Sequence, residues 1–109
     1  MPLVPKNYIN CHSSEVFTKA TVPERLLQPH VMEPGIFGQI QVLNGALKYY
    51  GLRDRQGAVL KEIILRANET AISHPEFWHK LELLTDDTEF RINFYVHKDA
   101  TVNHHVFSR

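Results

Sequence analysis

Residues that force a chain to turn recur along this sequence at intervals too short for a bundle of helices. They are Pro34-Gly35, Asn44-Gly45, Arg55-Gln56-Gly57, Ala67-Asn68-Glu69 and Thr85-Asp86-Asp87. Short apolar runs lie between them, and regular turn spacing of this kind argues for an antiparallel sandwich or barrel. With 109 residues the chain is read as one domain with one core. No internal repeat, low-complexity tract or linker divides it.

Two hairpins are predicted. Ile40 and Val42 alternate with Gln39 and Gln41, as a half-buried strand requires. Asn44-Gly45 follows, and a type I′ turn needs two residues that tolerate positive φ, so 36–43 is expected to pair with 46–50. The second predicted hairpin joins 79–84 to 89–96 through Thr85-Asp86-Asp87-Thr88. Phe90, Ile92 and Phe94 are placed on one face of its second strand, and Arg91, Asn93 and Tyr95 on the other. The stretch 58–67 is ambiguous. Val59, Leu60, Ile63, Ile64 and Ala67 fit a helical period, while the β-branched pair Ile63-Ile64 and the flanking turns favour a strand only slightly.

Composition excludes several classes. Formal net charge is zero and no basic stripe marks a nucleic-acid surface. No apolar run approaches the ~20 residues of a membrane span, and residues 1–10 do not read as a signal peptide, so a cytoplasmic protein is expected. The single cysteine, Cys11, permits no intrachain disulfide and has no visible activating partner. Of seven histidines, His12, His97, His104 and His105 lie near the ends and read as exposed polar residues. Asp86 and Asp87 read as turn formers. Trp78 reads as packing at the end of the fold.

The segment Asn68 to His79 is the informative one. A short alternating stretch runs into Pro75, which cannot donate to a strand ladder, and the chain re-enters a strand at His79. A turn, a proline and then a histidine resemble the second motif of the cupins. Their first motif has one or two histidines followed by a hairpin glycine, and His30 with Gly45, fourteen residues intervening, fits it. More narrowly, the chain resembles the small cupin-like family attached to the tellurite-resistance protein TehB and to YeaR-like proteins. Leu27-Gln28-Pro29-His30, Pro34-Gly35-Ile36-Phe37-Gly38, Val42 to Tyr49, Pro75 to Glu82 and Thr85 to Val96 carry that likeness.

The resemblance implies an all-β fold, a small cupin-type double-stranded β-helix or jelly-roll barrel. Its core would span about 5–96, with 97–109 as a tail and 58–65 as a strand. It implies a divalent metal (zinc, iron, nickel or manganese) held by His30 and His79 in the barrel. The pattern departs from broader cupins, since Met32 stands where a second histidine belongs, Gly38 lies near the glutamate position, and Glu33 is one residue out of register. A third ligand must come from elsewhere. Glu82 is the first candidate, though a bulge would be needed to turn it inward. His74, Glu76 and Gln39 follow. The implied function is metal-assisted binding of a small anionic or oxygen-rich ligand in tellurite or oxidative stress. The alternative is a non-catalytic sensor or accessory module. The chain shows no nucleotide-cofactor loop, so methyl transfer is not expected of it. A homodimer is expected, with 7–9 and 15–17 as strands available to a partner.

Overall fold

The computed structural model describes residues 4–99. His104 and His105, and most of the expected tail, lie outside the described residues. Seven strands and a single 3-10 turn (Glu24–Leu27) make up the regular structure. The strands are β1 (Tyr8–Ser13), β2 (Phe37–Asn44), β3 (Ala46–Leu52), β4 (Val59–Arg66), β5 (Thr70–Ser73), β6 (Trp78–Leu83) and β7 (Glu89–His97). They form two separate antiparallel sheets, ordered β1-β7-β2-β5 and β4-β3-β6. The all-β class is as expected, and among the described residues the ladders close no barrel.

The two sheets share one apolar interior. Ile40, Val42, Ala71, Phe90 and Ile92 enter it from the first sheet, and Leu47, Tyr49, Leu65 and Leu81 from the second. Val42, Leu47 and Phe90 are completely buried. The alternation read in β2 and β7 holds: Ile40, Val42, Phe90 and Ile92 face inward, with Gln39, Gln41 and Asn93 on the opposite face. Leu26, on the 3-10 turn, is buried against the same interior.

Neither predicted hairpin forms. β2 pairs with β5 and β7, whereas β3 pairs with β4 and β6, so the chain changes sheet at Asn44-Gly45. β6 and β7 likewise lie in different sheets. The reason is visible at the corner. Gly45 has φ +71°, but Asn44 does not have positive φ, so the two-residue type I′ geometry is absent. The Asn44 amide instead donates to the Glu89 carboxylate. A Cβ on Gly45 would lie 2.3 Å from Thr85 Oγ1 and 2.8 Å from the Thr88 Cα. Gly45 is needed because the β6–β7 turn packs directly on it. Fully buried Thr88 ties the two corners together by donating from Oγ1 to the Ala46 carbonyl at 2.8 Å.

Among the described residues the one hairpin between consecutive strands is β3–β4. The ambiguous segment is therefore strand, as the resemblance implied. Its missing alternation has a physical cause: β4 is the outer strand of its sheet, and of its eight residues only Leu65 is buried. The 7–17 stretch is also used within the chain. β1 pairs with β7, and Phe17 bridges to Phe90.

Candidate functional site

Where β6 begins, it gains a neighbour outside the regular strands. His30 and His79 form an isolated antiparallel bridge, each backbone N–H donating to the other's carbonyl at 2.9 Å. Residues directly opposite in such a bridge project their side chains to the same side. The two imidazoles consequently meet, with ring centroids 4.3 Å apart and planes at 86°. Tyr49, on β3, places its ring 5.8 Å from that of His79. Pro29 and Pro75 bring the two histidines to this register by ending the preceding segments.

His79 is only 2% exposed, and its Nε2 has no hydrogen-bond partner among the described residues. Ser73, the last residue of β5, is 1% exposed, and its Oγ is likewise unpartnered. Both line a cavity of about 630 Å³ between the sheets, as do His30 and His12. Leu26, Ile36, Ile40, Ile92 and Phe94 supply much of its apolar wall, and Arg25, Glu15 and Glu33 stand exposed around it. A buried polar atom without a partner is costly, so two on one cavity wall mark a place where a ligand would satisfy them.

The electrostatics keep the pair neutral. Burial, followed by the neighbouring His30 and His74, pushes the His79 imidazole down to about 3. Burial also lowers His30, offset in part by its bond to Gln28 and reinforced by Arg25. His30 Nδ1 lies 2.9 Å from the Gln28 carbonyl. A carbonyl only accepts, so Nδ1 carries the proton and Nε2 keeps its lone pair. Burial raises the Tyr49 phenol, and the Ser73 hydroxyl, near the phenol but not in hydrogen-bonding geometry with it, offsets part of this.

The structure brings together His30 and His79 but not the third expected ligand. The β3–β6 ladder runs from Leu47↔Leu83 to Leu52↔Trp78 without a bulge, so strict alternation carries Glu82 to the outer face. There Glu82 is exposed and accepts a 2.6 Å hydrogen bond from the Tyr50 hydroxyl, which helps push that phenol up to about 12. His74 is exposed, its ring 5.3 Å from that of Phe37 and 5.7 Å from that of Phe77. Glu76 is exposed, and Gln39 accepts from Asn93 at 3.0 Å on the far side of β2. The two departures from the cupin pattern meet in space. The Met32 methyl sits 3.2 Å from where a Cβ of Gly38 would be, so a thioether packs on bare backbone at this wall. Among the described residues, no group of three or more His, Cys, Asp or Glu side chains converges to hold a metal ion. Two imidazoles are one short of the three protein ligands usual for a catalytic centre, so His30 and His79 alone do not complete one.

Sequence reasoning missed three cavity residues. Ser73 lies between Asn68 and His79 but reads as an ordinary strand residue. Arg25 precedes the motif and reaches the cavity through the 3-10 turn. His12, near the N-terminal end, reads from the sequence as an exposed polar residue. It is half-buried on β1 and stacks against Phe94 at 5.8 Å, a placement that depends on β1 pairing with the last strand. Cys11, beside it, is exposed, and its thiol is raised by partial burial, away from a reactive thiolate.

Comparison with known proteins places this architecture. The family model for the TehB-like domain matches residues 12–92, a span that includes both histidines and Gly45. This chain belongs to the TehB-like family. Among TehB-like relatives, the uncharacterized protein YeaR of Escherichia coli K12 is 37% identical over 97 residues, covering 85% of this chain and 82% of YeaR. A probable S-adenosyl-L-methionine-dependent methyltransferase, TehB of Haemophilus influenzae, is 30% identical over 95 residues, covering 86% of this chain but 33% of that protein. This TehB-like chain thus spans about a third of that methyltransferase. A crystal structure of an E. coli K12 protein superposes with a TM-score of 0.82 at 35% identity, covering 88% of this chain and 97% of the other. The crystal structure of H. influenzae TehB gives 0.78 at 27% identity, covering 94% of this chain and 41% of that one.

Proposed function

We propose that this chain is a cupin-type binding module that takes a small oxygen-rich molecule into the cavity beside His30 and His79. The observation that carries the reading is the pair of buried, unpartnered polar atoms, His79 Nε2 and Ser73 Oγ, on the wall of one cavity. Neutral His79 presents either an N–H or a lone pair at Nε2, according to its tautomer, Ser73 offers a hydroxyl, and His30 offers an acceptor at Nε2. The complementary ligand carries both donors and acceptors, as a protonated oxyanion does. Arg25 shares the entrance with Glu15 and Glu33, so the rim carries one positive and two negative groups and favours a ligand that keeps a proton over a fully charged anion.

The jelly-roll description is supported by the chain's repeated passage from one sheet to the other. Kinship with TehB supports a role in tellurite stress, and a cytoplasmic location is part of the same proposal, in keeping with a single cysteine that can form no intrachain disulfide. Among the described residues no helix is long and apolar enough to cross a membrane. Binding without turnover is the functional class that the site favours. A second reading has a divalent ion bridging protein and ligand, with the ligand's oxygens completing its coordination. The Gln28 bond favours it, because fixing Nδ1–H presents Nε2 as a donor to such an ion.

Titration calorimetry with tellurite and selenite, with and without added zinc, tests both. Saturable binding by the wild type, weakened at least about tenfold in His79→Gln and in Ser73→Ala, supports the cavity. Binding that appears only with zinc selects the bridged form. Equal binding by wild type and both variants would remove the site from consideration.

A further inference from the structure

We infer that β4 is the surface on which two copies of this chain associate, edge to edge, about a two-fold axis at Ile64. The sheet edges differ in how they are protected. β6 is covered where His30 bridges to it. β5 has only four residues, and β1 has six and is broken by a bulge between Asn10 and His12. β4 has eight residues and ends its sheet, so alternate backbone donors and acceptors along it face away from the β3 ladder. It also exposes Val59 by 50%, Leu60 by 62%, Ile63 by 40% and Ile64 by 47%. A long edge with that much exposed apolar surface is what soluble proteins ordinarily avoid unless it is paired.

Symmetry selects the register. A two-fold axis perpendicular to the sheet keeps the inner face of one copy level with the inner face of the other. Facing residue numbers must then sum to an even value, since a one-residue slip exchanges the faces. Centring on Glu62 sets that carboxylate against itself, and centring on Lys61 opposes two ammonium groups. Centring on Ile63 sets Glu62 against an isoleucine and Lys61 against a leucine. Centring on Ile64 satisfies the five positions from Glu62 to Arg66, which end where the turn at 67–68 begins; Leu60 and Val59 lie beyond them. On the outer face Ile64 meets Ile64 of the second copy, and Glu62 meets its Arg66, twice by symmetry. On the inner face Ile63 meets Leu65, also twice. Opposite charges and apolar side chains directly across a ladder each favour pairing, and like charges oppose it. Among the described residues Glu62 makes a single, long ion pair, to Lys48 at 3.8 Å, and lies across the ladder from Tyr50, which leaves its outward carboxylate able to meet an arginine.

The test is the mass of the full chain in solution, by light scattering after size exclusion at micromolar concentration. The expected mass is that of two chains, each 12.6 kDa. Glu62→Arg and Arg66→Glu each convert two attractive pairs into two repulsive ones, and each is expected to weaken association by about tenfold or more. The combined Glu62→Arg, Arg66→Glu protein restores both pairs and is expected to dimerise as the wild type does. These positions are exposed, so circular dichroism should be unchanged throughout. A monomeric wild type would overturn the proposal. So would a dimer indifferent to the single charge reversals, or one that the double reversal fails to restore.

Discussion

Acid should destabilise this fold through His79 in a way that can be isolated from its other histidines. The folded imidazole is held near 3, against about 6.5 in an unfolded chain. A histidine depressed in the folded state contributes stability that is fully present above the unfolded value and lost as pH falls toward the folded one. Between about pH 7.5 and about pH 5 the unfolded chain gains a proton at this position that the folded chain refuses, which costs about 2 kcal/mol. His30, lowered by burial as well, acts with the same sign. For a domain of this size, that loss corresponds to a fall of about 8–16 °C in Tm. Thermal unfolding of wild type and His79→Gln at both pH values isolates the effect, because the remaining histidines contribute to both proteins. The fall in Tm should be smaller in the variant by roughly that amount, whatever its own stability at neutral pH. An equal fall in both proteins would refute the reasoning. So would a His79 ring resonance titrating near the unperturbed value.

Three further outcomes follow from the geometry. Gly45→Ala should lose at least about 2 kcal/mol, because a Cβ would meet the Thr88 backbone where φ is already left-handed, and urea unfolding would show it. Phe90→Ala, which empties the centre of the shared interior, should cost about 3–5 kcal/mol by the same measurement. Glu82→Gln should leave stability within about 0.5 kcal/mol and ligand binding unchanged, while the Tyr50 phenol falls back toward about 10 in an ultraviolet titration.

What the sequence revealed and what it hid divide along physical lines. Period-2 patterning in β2 and β7 identified the inward residues, because both strands have one face on the core. β4 gave a false helical period because almost nothing in it is buried, so no alternation was imposed. Asn44-Gly45 reported a turn correctly and its consequence wrongly. A turn dipeptide states that the chain reverses, and whether it reverses within a sheet depends on what packs against the corner, here Thr85 and Thr88. In the site, His30 and His79 were legible through their prolines and spacing. Glu82 was one residue of parity away from the cavity, and no bulge corrected it. Ser73 and His12 became visible only once distant strands were paired.

Because the chain passes between sheets at four of its six strand connections, neither sheet is a contiguous piece of sequence. The first needs β1, β2, β5 and β7, and the second takes the strands threaded among them. Only β3 and β4 pair as immediate neighbours. Neither half can therefore be assembled ahead of the other as an independent folding unit, and closing the long loops between partners comes before most of the stabilising contacts. Such a wiring favours slow, all-or-none folding, on a scale of about milliseconds to seconds. It also means that the histidine bridge, which joins two segments on either side of β2 to β5, exists only when the whole molecule does.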